Sequence, residues 1–257
     1  MTIREHTIAS PLRASYELRP LRFSKSRERR AFNESVLRPD LPLHPLAREF
    51  AAVVRTEAAT LLGTVGYGEF GWPEFSAVWW SAARRITLGE AAREDHDVTH
   101  PGHPNHDAIA TYLRTAEPGS LAAQAARTLA TSGVDPIAQL RQWLFGFGAA
   151  GIITLRTLAL LATHPEQAQA ARDELAATDF TELRGLPYLR ARVLESMRSP
   201  FGACPGRNIV LGSAATMLAA LLAQREFTLV GQPSLDLRFV SRRTGTQRSR
   251  PAPRTEE

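Results

Sequence analysis

The segment Pro136–Thr163 constrains the fold more than any other part of this sequence. It opens with Asp135-Pro136, an N-cap residue followed by proline at the first helical position, and the next such start is His164-Pro165. Between these points the chain has no internal proline and is mostly apolar, which predicts one long helix. A helix of this kind belongs either at the centre of a folded domain or in a membrane.

The apolar stretch Trp143–Ala162 is long enough to cross a bilayer, but Arg156 falls inside it. An arginine at bilayer depth costs at least about 2.5 kcal/mol. We therefore expect a buried helix of a soluble protein without a membrane span, with membrane insertion as the alternative. The N-terminal residues contain no apolar core typical of a secretory signal, which favours a cytoplasmic location.

Helical periodicity also dominates the rest of the chain, which predicts a mainly α fold with a small C-terminal β hairpin. The loops are expected at Gly63–Pro73 and Asp95–Asp107, and the hairpin strands at Phe227–Val230 and Leu235–Val240. Residues 1–240 are predicted to form a single helical domain, and residues 241–257 a basic, proline-containing disordered tail. The other predicted helices are Arg27–Val36, Pro45–Leu62, Pro73–Ala92, Ile109–Arg114, Leu121–Ser132, Pro165–Ala176, Pro187–Arg198 and Pro205–Gln224.

The charge pattern argues against a nucleic-acid partner. The formal net charge is +5, and Lys25 is the only lysine, so nearly all basic residues are arginines. Outside the C-terminal tail these arginines are interleaved with acidic residues, and no basic face or known binding module is visible. A solvated, arginine-rich surface is the simpler interpretation.

Cys204 is the only cysteine, which excludes an intramolecular disulfide and a multi-cysteine metal site. It lies in Phe201-Gly202-Ala203-Cys204-Pro205-Gly206-Arg207, directly before a predicted helix. The free N–H groups at a helix start, together with the charge of Arg207, favour a thiolate. Such a thiolate would be a nucleophile or a soft metal ligand, although a single cysteine can also be an inert small apolar residue.

Two further patterns are weak when taken alone. Glu195 and Arg198 are three residues apart on a predicted helix and can pair, which most often makes a surface ion pair. Ala150 and Gly151 precede Thr154 within the long helix, where the small residues could open space for a ligand beside the hydroxyl. The alternative is close helix packing with Thr154 bonded to its own backbone.

The order of these patterns, however, resembles the cytochrome P-450 family of haem-thiolate monooxygenases. The matching segments are WLFGFGAAGIITLRTLALLATHPEQAQAARDEL, YLRARVLESMRSP and FGACPGRNIVLGSAATMLAALL, which are similar to the family's I helix, K helix, and cysteine loop with L helix. The clear resemblance covers roughly Pro136–Leu222. It implies a reduced P-450-like helical fold around haem.

The resemblance also implies a role for each matching residue. Cys204 would be the axial ligand of the haem iron, with Phe201 packed beside the iron–sulfur bond and Arg207 nearby. Thr154 would help to deliver protons to bound oxygen, and Ala150 and Gly151 would open the oxygen-binding kink. Glu195 and Arg198 would form the structural pair of the K helix. The implied activity is oxidation of a small, mostly apolar substrate with O2 and electrons from an external donor protein.

The sequence departs from this family in several places, and its cysteine loop, for example, lacks about four residues. Ile153 stands where the family has an acid before the distal threonine, and only Ser199–Ala203 separate Arg198 from Cys204. Five residues span at most about 16–18 Å, so the cysteine must lie close to the end of the helix that carries Arg198. By this resemblance the chain would be a shortened or internally deleted member of the family. Two other functions therefore stay open: a haem-free or catalytically impaired remnant acting as an interaction module, and a thiol-redox protein that uses Cys204 with a partner thiol.

Two weaker candidate groups complete the sequence-based picture. Arg84 follows Trp80 by four residues, and Arg48 follows His44 by four, so either arginine could contact a haem propionate in a related fold. Four histidines lie close together and could in principle bind a metal, but their loop-type spacing favours a solvated loop. These histidines are His96, His100, His103 and His106.

Overall fold

A computed structural model describes residues 26–99, 105–128, 133–177, 186–197, 204–230 and 237–243. The described part is mainly helical, with a small antiparallel sheet and short 3-10 helices at Glu90–Ala92 and His96–Thr99. Its α-helices are α1 (Ser26–Leu37), α2 (Ala47–Val65), α3 (Trp72–Leu88), α4 (His106–Arg114), α5 (Leu121–Thr128), α6 (Pro136–Thr163), α7 (Pro165–Ala177), α8 (Pro187–Met197) and α9 (Arg207–Leu222). Its strands are β1 (Glu69–Phe70), β2 (Arg225–Val230) and β3 (Arg238–Arg243).

Four helices form the centre of the fold. The helices α2, α3, α6 and α9 are arranged in a ring, each packing against two of the others. The helix α9 is apolar on all sides, and almost every residue of Leu211–Leu222 is buried, as expected of a helix surrounded by others. The helix α8 packs against α9 and α6, while α7 packs against α6 and α8. These contacts place the C-terminal third of α6 between the centre of the fold and α7 and α8.

The long helix α6 confirms the bounds expected from the sequence. The Asp135 carboxylate accepts a hydrogen bond from the Ile137 N–H at 3.0 Å, which satisfies one of the free donors at the helix start. Among the described residues, α6 is the one helix with the length and apolarity to cross a membrane, and 56% of its most apolar window is buried inside the fold.

The sheet has three strands instead of the two predicted for the hairpin, and β3 lies between β1 and β2. Phe70 pairs with Phe239 across β1 and β3, and their rings stack with centroids 5.3 Å apart. The prediction of a loop through Gly63–Pro73 was therefore wrong at β1, since two residues give too short a pattern to detect. The strand β3 continues through Arg243, so residues 241–243, which were predicted to belong to the tail, are part of the sheet. The rest of the predicted tail lies outside the described residues.

Several helix ends also differ from the predicted ones. The helix α9 begins at Arg207 instead of Pro205, and α2 begins at Ala47 instead of Pro45. The helix α3 ends at Leu88, because Gly89 adopts φ 113° and the chain turns into a 3-10 helix. A side chain at Gly89 would be strained by this φ, and its Cβ would lie 2.9 Å from Cδ of Glu117, which would have to move.

Candidate functional site

The predicted haem ligand, Cys204, is exposed. It lies three residues before the first residue of α9, and its carbonyl, not its thiol, takes part in the turn by accepting the Arg207 N–H at 3.1 Å. Arg207 is itself half-buried at the helix start. Phe201, which was predicted to pack beside the cysteine, lies outside the described residues. The thiol is therefore accessible to a partner molecule at this position.

Thr154 and Ala150 lie on the buried face of α6. The Thr154 side chain is fully buried, and its hydroxyl donates a hydrogen bond to the Ala150 carbonyl at 2.8 Å. A threonine in the middle of a helix commonly makes this bond to the carbonyl four residues before it. The one proton of the hydroxyl is committed to the backbone in this arrangement.

Gly151 is covered by an aromatic side chain from α3. A Cβ placed on Gly151 would lie 2.6 Å from Cδ1 and 2.7 Å from Nε1 of Trp79. The same indole Nε1–H donates to the Phe147 carbonyl at 2.7 Å, so Trp79 is held against α6 by both packing and a hydrogen bond. The absence of a side chain at Gly151 is used here for the close approach of two helices.

Glu195 and Arg198 are not seen together. Arg198 lies outside the described residues, and the exposed Glu195 carboxylate forms an ion pair with Arg192 at 2.7 Å. Arg192 also lies over the ring of Tyr188, with its guanidinium carbon 5.1 Å from the ring centroid. Within the described part of α8, Glu195 therefore fixes the position of a neighbouring arginine.

A haem site requires a cavity that Cys204 and Thr154 both line, because the macrocycle would lie between them. The structure contains a cavity of about 570 Å³ between α6, α7 and α8 and a cavity of about 20 Å³ between α2 and α9. Neither cavity is lined by Cys204, Thr154 or Gly151. Neither of these two cavities could therefore hold a haem between Cys204 and Thr154.

The larger cavity, which we call the α6–α8 cleft, is formed by the C-terminal third of α6, the first turn of α7 and the end of α8. Arg156 and Leu160 line it from α6, and Arg192 and Ser196 line it from α8. Sequence reasoning missed this site. The available signal was Arg156, an isolated charge within an apolar helix, which was considered only as a barrier to membrane insertion.

Two of the weaker candidates are buried within the fold. Arg84 is almost fully buried and donates to the backbone carbonyls of Ala92 and Arg93 and to the Thr99 hydroxyl. Burial lowers the pKa of Arg84, an effect that nearby carboxylates partly offset. Its donors are directed to the protein's own backbone, as expected of a structural arginine.

His44 is also buried, and both of its ring nitrogens have partners. Nε2 lies 2.9 Å from the Val36 carbonyl, and Nδ1 accepts the Leu46 N–H at 3.1 Å. Its ring stacks on Phe50 with centroids 5.2 Å apart. This arrangement satisfies a neutral imidazole, and burial lowers the pKa of His44.

Among the predicted loop histidines, His96 and His106 are exposed, while His100 and His103 lie outside the described residues. The His106 Nε2 contacts the guanidinium of Arg141. Within the part of the chain that the structure covers, three or more potential ligands from His, Cys, Asp and Glu do not come together as a metal site.

Comparison with protein-family models gave no match for this chain, and comparison with curated proteins gave none either. The resemblance to the haem-thiolate monooxygenases therefore depends on the sequence motifs alone and stays a prediction.

Proposed function

We propose that this chain is a haem-free helical module that binds other molecules, built on a sequence pattern like that of the haem-thiolate enzymes. The observation that carries the proposal is the closed inner face of α6. Trp79 occupies the space beside Gly151, and the Thr154 hydroxyl is bonded to Ala150. A monooxygenase needs room for O2 and substrate on this face, and the closed face offers none to either.

The position of Cys204 supports the same proposal. Its side chain is exposed, and it does not line the α6–α8 cleft, which is the larger of the two cavities described above. Cofactor sites are concave and enclose most of their ligand, typically in about 300–1,000 Å³. A cavity in this size range that excludes the thiol favours binding of a ligand other than thiolate-ligated haem.

Haem-dependent monooxygenation is the second candidate, and the order of the motifs favours it. An Ala-Gly-x-x-Thr helix, a Glu-x-x-Arg helix and a cysteine immediately before a third helix follow one another as in the haem-thiolate enzymes. If this candidate is correct, Cys204 ligates the haem iron, and the protein takes electrons from a separate donor to oxidise a small apolar substrate. Haem binding would then require Trp79 to move away from α6.

The two candidates predict different absorption spectra for the purified chain with added haemin. The haem-free module gives no haem-dependent Soret band that saturates with one equivalent, and none after reduction and addition of carbon monoxide. The monooxygenase gives the red-shifted reduced carbon-monoxide band typical of thiolate ligation, and this band disappears in Cys204→Ser. Stoichiometric binding that survives Cys204→Ser would contradict both candidates, since haem would then bind without the thiolate.

A further inference from the structure

The α6–α8 cleft carries two buried hydrogen-bond donors without partners. The Ser196 side chain is 5% exposed, and its hydroxyl has no hydrogen-bond partner in the described part of the chain. The Nε of Arg192 is likewise buried and unpartnered. Buried polar groups are nearly always hydrogen-bonded, and the described residues contain seven exceptions, of which these two belong to residues that line one cleft. Their joint position beside a cavity points to a group that is supplied from outside the chain.

Ser81, Thr87 and Ser213 also have buried hydroxyls without partners, and for Ser213 the structure offers a simpler explanation. Ser213 lines the cavity of about 20 Å³ between α2 and α9, which has room for about one water molecule. The α6–α8 cleft, at about 570 Å³, is large enough for an organic molecule. Because the cleft is so much larger than the small cavity, a bound ligand is the better explanation for the missing hydrogen-bond partner of Ser196.

Charge in the cleft is unbalanced toward the positive. The Arg192 guanidinium is neutralised by Glu195 at 2.7 Å. Arg156, on the facing helix, is exposed and has no ion pair or hydrogen bond with any residue that the structure describes. A guanidinium presents its donors in a planar fork that matches a carboxylate. Arg156 therefore provides an uncompensated, correctly shaped partner for an anion.

Most of the remaining polar groups of the cleft have a partner. The Thr157 hydroxyl donates to the Ile153 carbonyl at 2.8 Å, and the His164 Nδ1 lies 2.8 Å from the Leu160 carbonyl. The side-chain oxygen of Gln167 receives the Tyr188 hydroxyl. The free donors are thus Arg156, the Ser196 hydroxyl and the Arg192 Nε–H. The His164 Nε2 is a free acceptor when Nδ1–H donates to Leu160, and Leu160 and Leu161 supply apolar surface.

We propose that the α6–α8 cleft binds a small organic carboxylate with an aliphatic body. The exposed Arg156 guanidinium pairs with the carboxylate, and a small outward shift of α8 on binding uncovers the Ser196 hydroxyl and the Arg192 Nε–H so that both donate to it, while the aliphatic part covers Leu160 and Leu161. The pair with Glu195 and the stacking on Tyr188 hold Arg192 in place before the ligand arrives. This site goes beyond the proposed haem-free module and does not depend on it, since Cys204 does not line the cleft.

The test is isothermal titration of the full chain, purified without haem, with octanoate as the probe. Octylammonium carries the same aliphatic body with the opposite charge, and acetate and inorganic phosphate carry negative charge without that body. We expect saturable one-to-one binding of octanoate, at least about tenfold weaker binding of each other probe, and the same result in Cys204→Ser.

Two variants locate the site. Arg156→Gln removes the free charge at an exposed position and should weaken octanoate binding at least about tenfold, and Ser196→Ala should weaken it about threefold to tenfold. The matched control is Arg127→Gln, which removes an exposed arginine from α5 and should leave binding unchanged. Circular dichroism melts of each variant establish that the fold is kept.

Several results would overturn this proposal. One is the absence of octanoate binding at millimolar concentration. Another is equal binding of octylammonium, which would show an apolar surface without charge selection. Equal binding of phosphate or acetate would show an anion site without a place for the aliphatic body. Equal weakening by Arg127→Gln and Arg156→Gln would place the ligand outside the cleft.

Discussion

The two faces of α6 differ in whether the polar side chains at each face have hydrogen-bond or ion-pair partners. On the inner face, around Gly151 and Thr154, the Trp79 indole fills the available space, and the hydroxyl and the indole N–H both have backbone acceptors. On the outer face, at the α6–α8 cleft, Arg156 has no partner among the described residues, and neither does the hydroxyl of Ser196 on the facing helix α8. Of the motif residues, Ala150, Gly151 and Thr154 lie on the closed face, and Glu195 lines the cleft beside Arg156 and Ser196, which have no role in the motifs.

This difference teaches that a sequence motif and a free functional group need not coincide. Glycine and threonine can be retained for catalysis or for packing, and one sequence does not distinguish the two. An unpartnered donor inside a cleft is a more direct sign of binding, because leaving it unsatisfied costs about 1–3 kcal/mol. The comparison can be tested by changing one face at a time.

The largest effect is expected from Gly151→Ala, which places a methyl group against Trp79. A Cβ only 2.6 Å from an indole carbon forces the helices apart, so we expect the free energy of unfolding to fall by about 1–3 kcal/mol. Gly146→Ala is the matched control on the same helix, because a Cβ there meets nothing within 4 Å. The control should raise the free energy of unfolding by up to about 1 kcal/mol through helix propensity. Urea denaturation measures both.

A double-mutant cycle with Trp79→Phe tests the cause of that loss. If the indole is the obstacle, Gly151→Ala should cost less in the Trp79→Phe background, with a coupling energy of about 1 kcal/mol or more. Equal costs in the two backgrounds would mean that the inner face is not closed by Trp79. That outcome would reopen the space that the monooxygenase hypothesis requires.

A buried group away from α6 should also make the fold sensitive to acid: His44, which lines the small cavity between α2 and α9. Burial lowers its pKa below the ordinary value of 6.5, so the unfolded chain binds the proton more readily than the folded one. Its contribution to stability is complete above pH 6.5 and is lost as the pH falls below that value. Protonation of Nδ1 also removes the bond from the Leu46 N–H, which is worth about 1 kcal/mol.

The measurement compares unfolding of the wild type and of His44→Gln between pH 7.5 and 5. The difference in the free energy of unfolding between the two proteins should shrink as the pH falls. His164→Gln, which changes an exposed histidine, is the control for general effects of acid. Parallel pH curves for the wild type and His44→Gln would contradict this interpretation of the buried imidazole.

The smallest effect is expected from Ser196→Ala on the open face. Without ligand, removing an unpartnered buried hydroxyl should leave the free energy of unfolding unchanged or raise it by up to about 1 kcal/mol. Thr216→Ala is a suitable contrast, because its hydroxyl is bonded to the Gly212 carbonyl at 2.7 Å. Thermal denaturation distinguishes them, and a clear loss of stability in Ser196→Ala would show that the hydroxyl has a structural partner.

Much of the helical architecture could be predicted from the sequence, because the signals are local. Prolines at helix starts and the Asp135 cap locate α6, α7 and α8 to within one or two residues. The strand β1 could not be predicted, since its two residues are defined by pairing with a strand far along the chain. Strand pairing of this kind depends on tertiary structure and leaves no periodic pattern in a short segment.

The candidate site was harder to predict for a different reason. The order of Thr154, Glu195 and Cys204 suggests an enzyme family, but whether these groups meet depends on packing by residues such as Trp79, which carry no motif. Arg156 and Ser196 become a pair of donors only because α6 and α8 lie beside each other. Spatial proximity of this kind is a property of the fold, and no spacing in the sequence encodes it.

The pairing of β1 with β3 has a consequence for how this protein is made. The Ser241 hydroxyl donates to the Gly66 carbonyl, 175 positions earlier in the chain. During synthesis on the ribosome, α2 and α3 are made long before β3, whose Phe239 stacks on Phe70. The Phe70 ring therefore stays without this contact until β3 has been synthesised. Until then the nascent chain exposes an apolar side chain and an unpaired strand, to which chaperones or other nascent chains can bind.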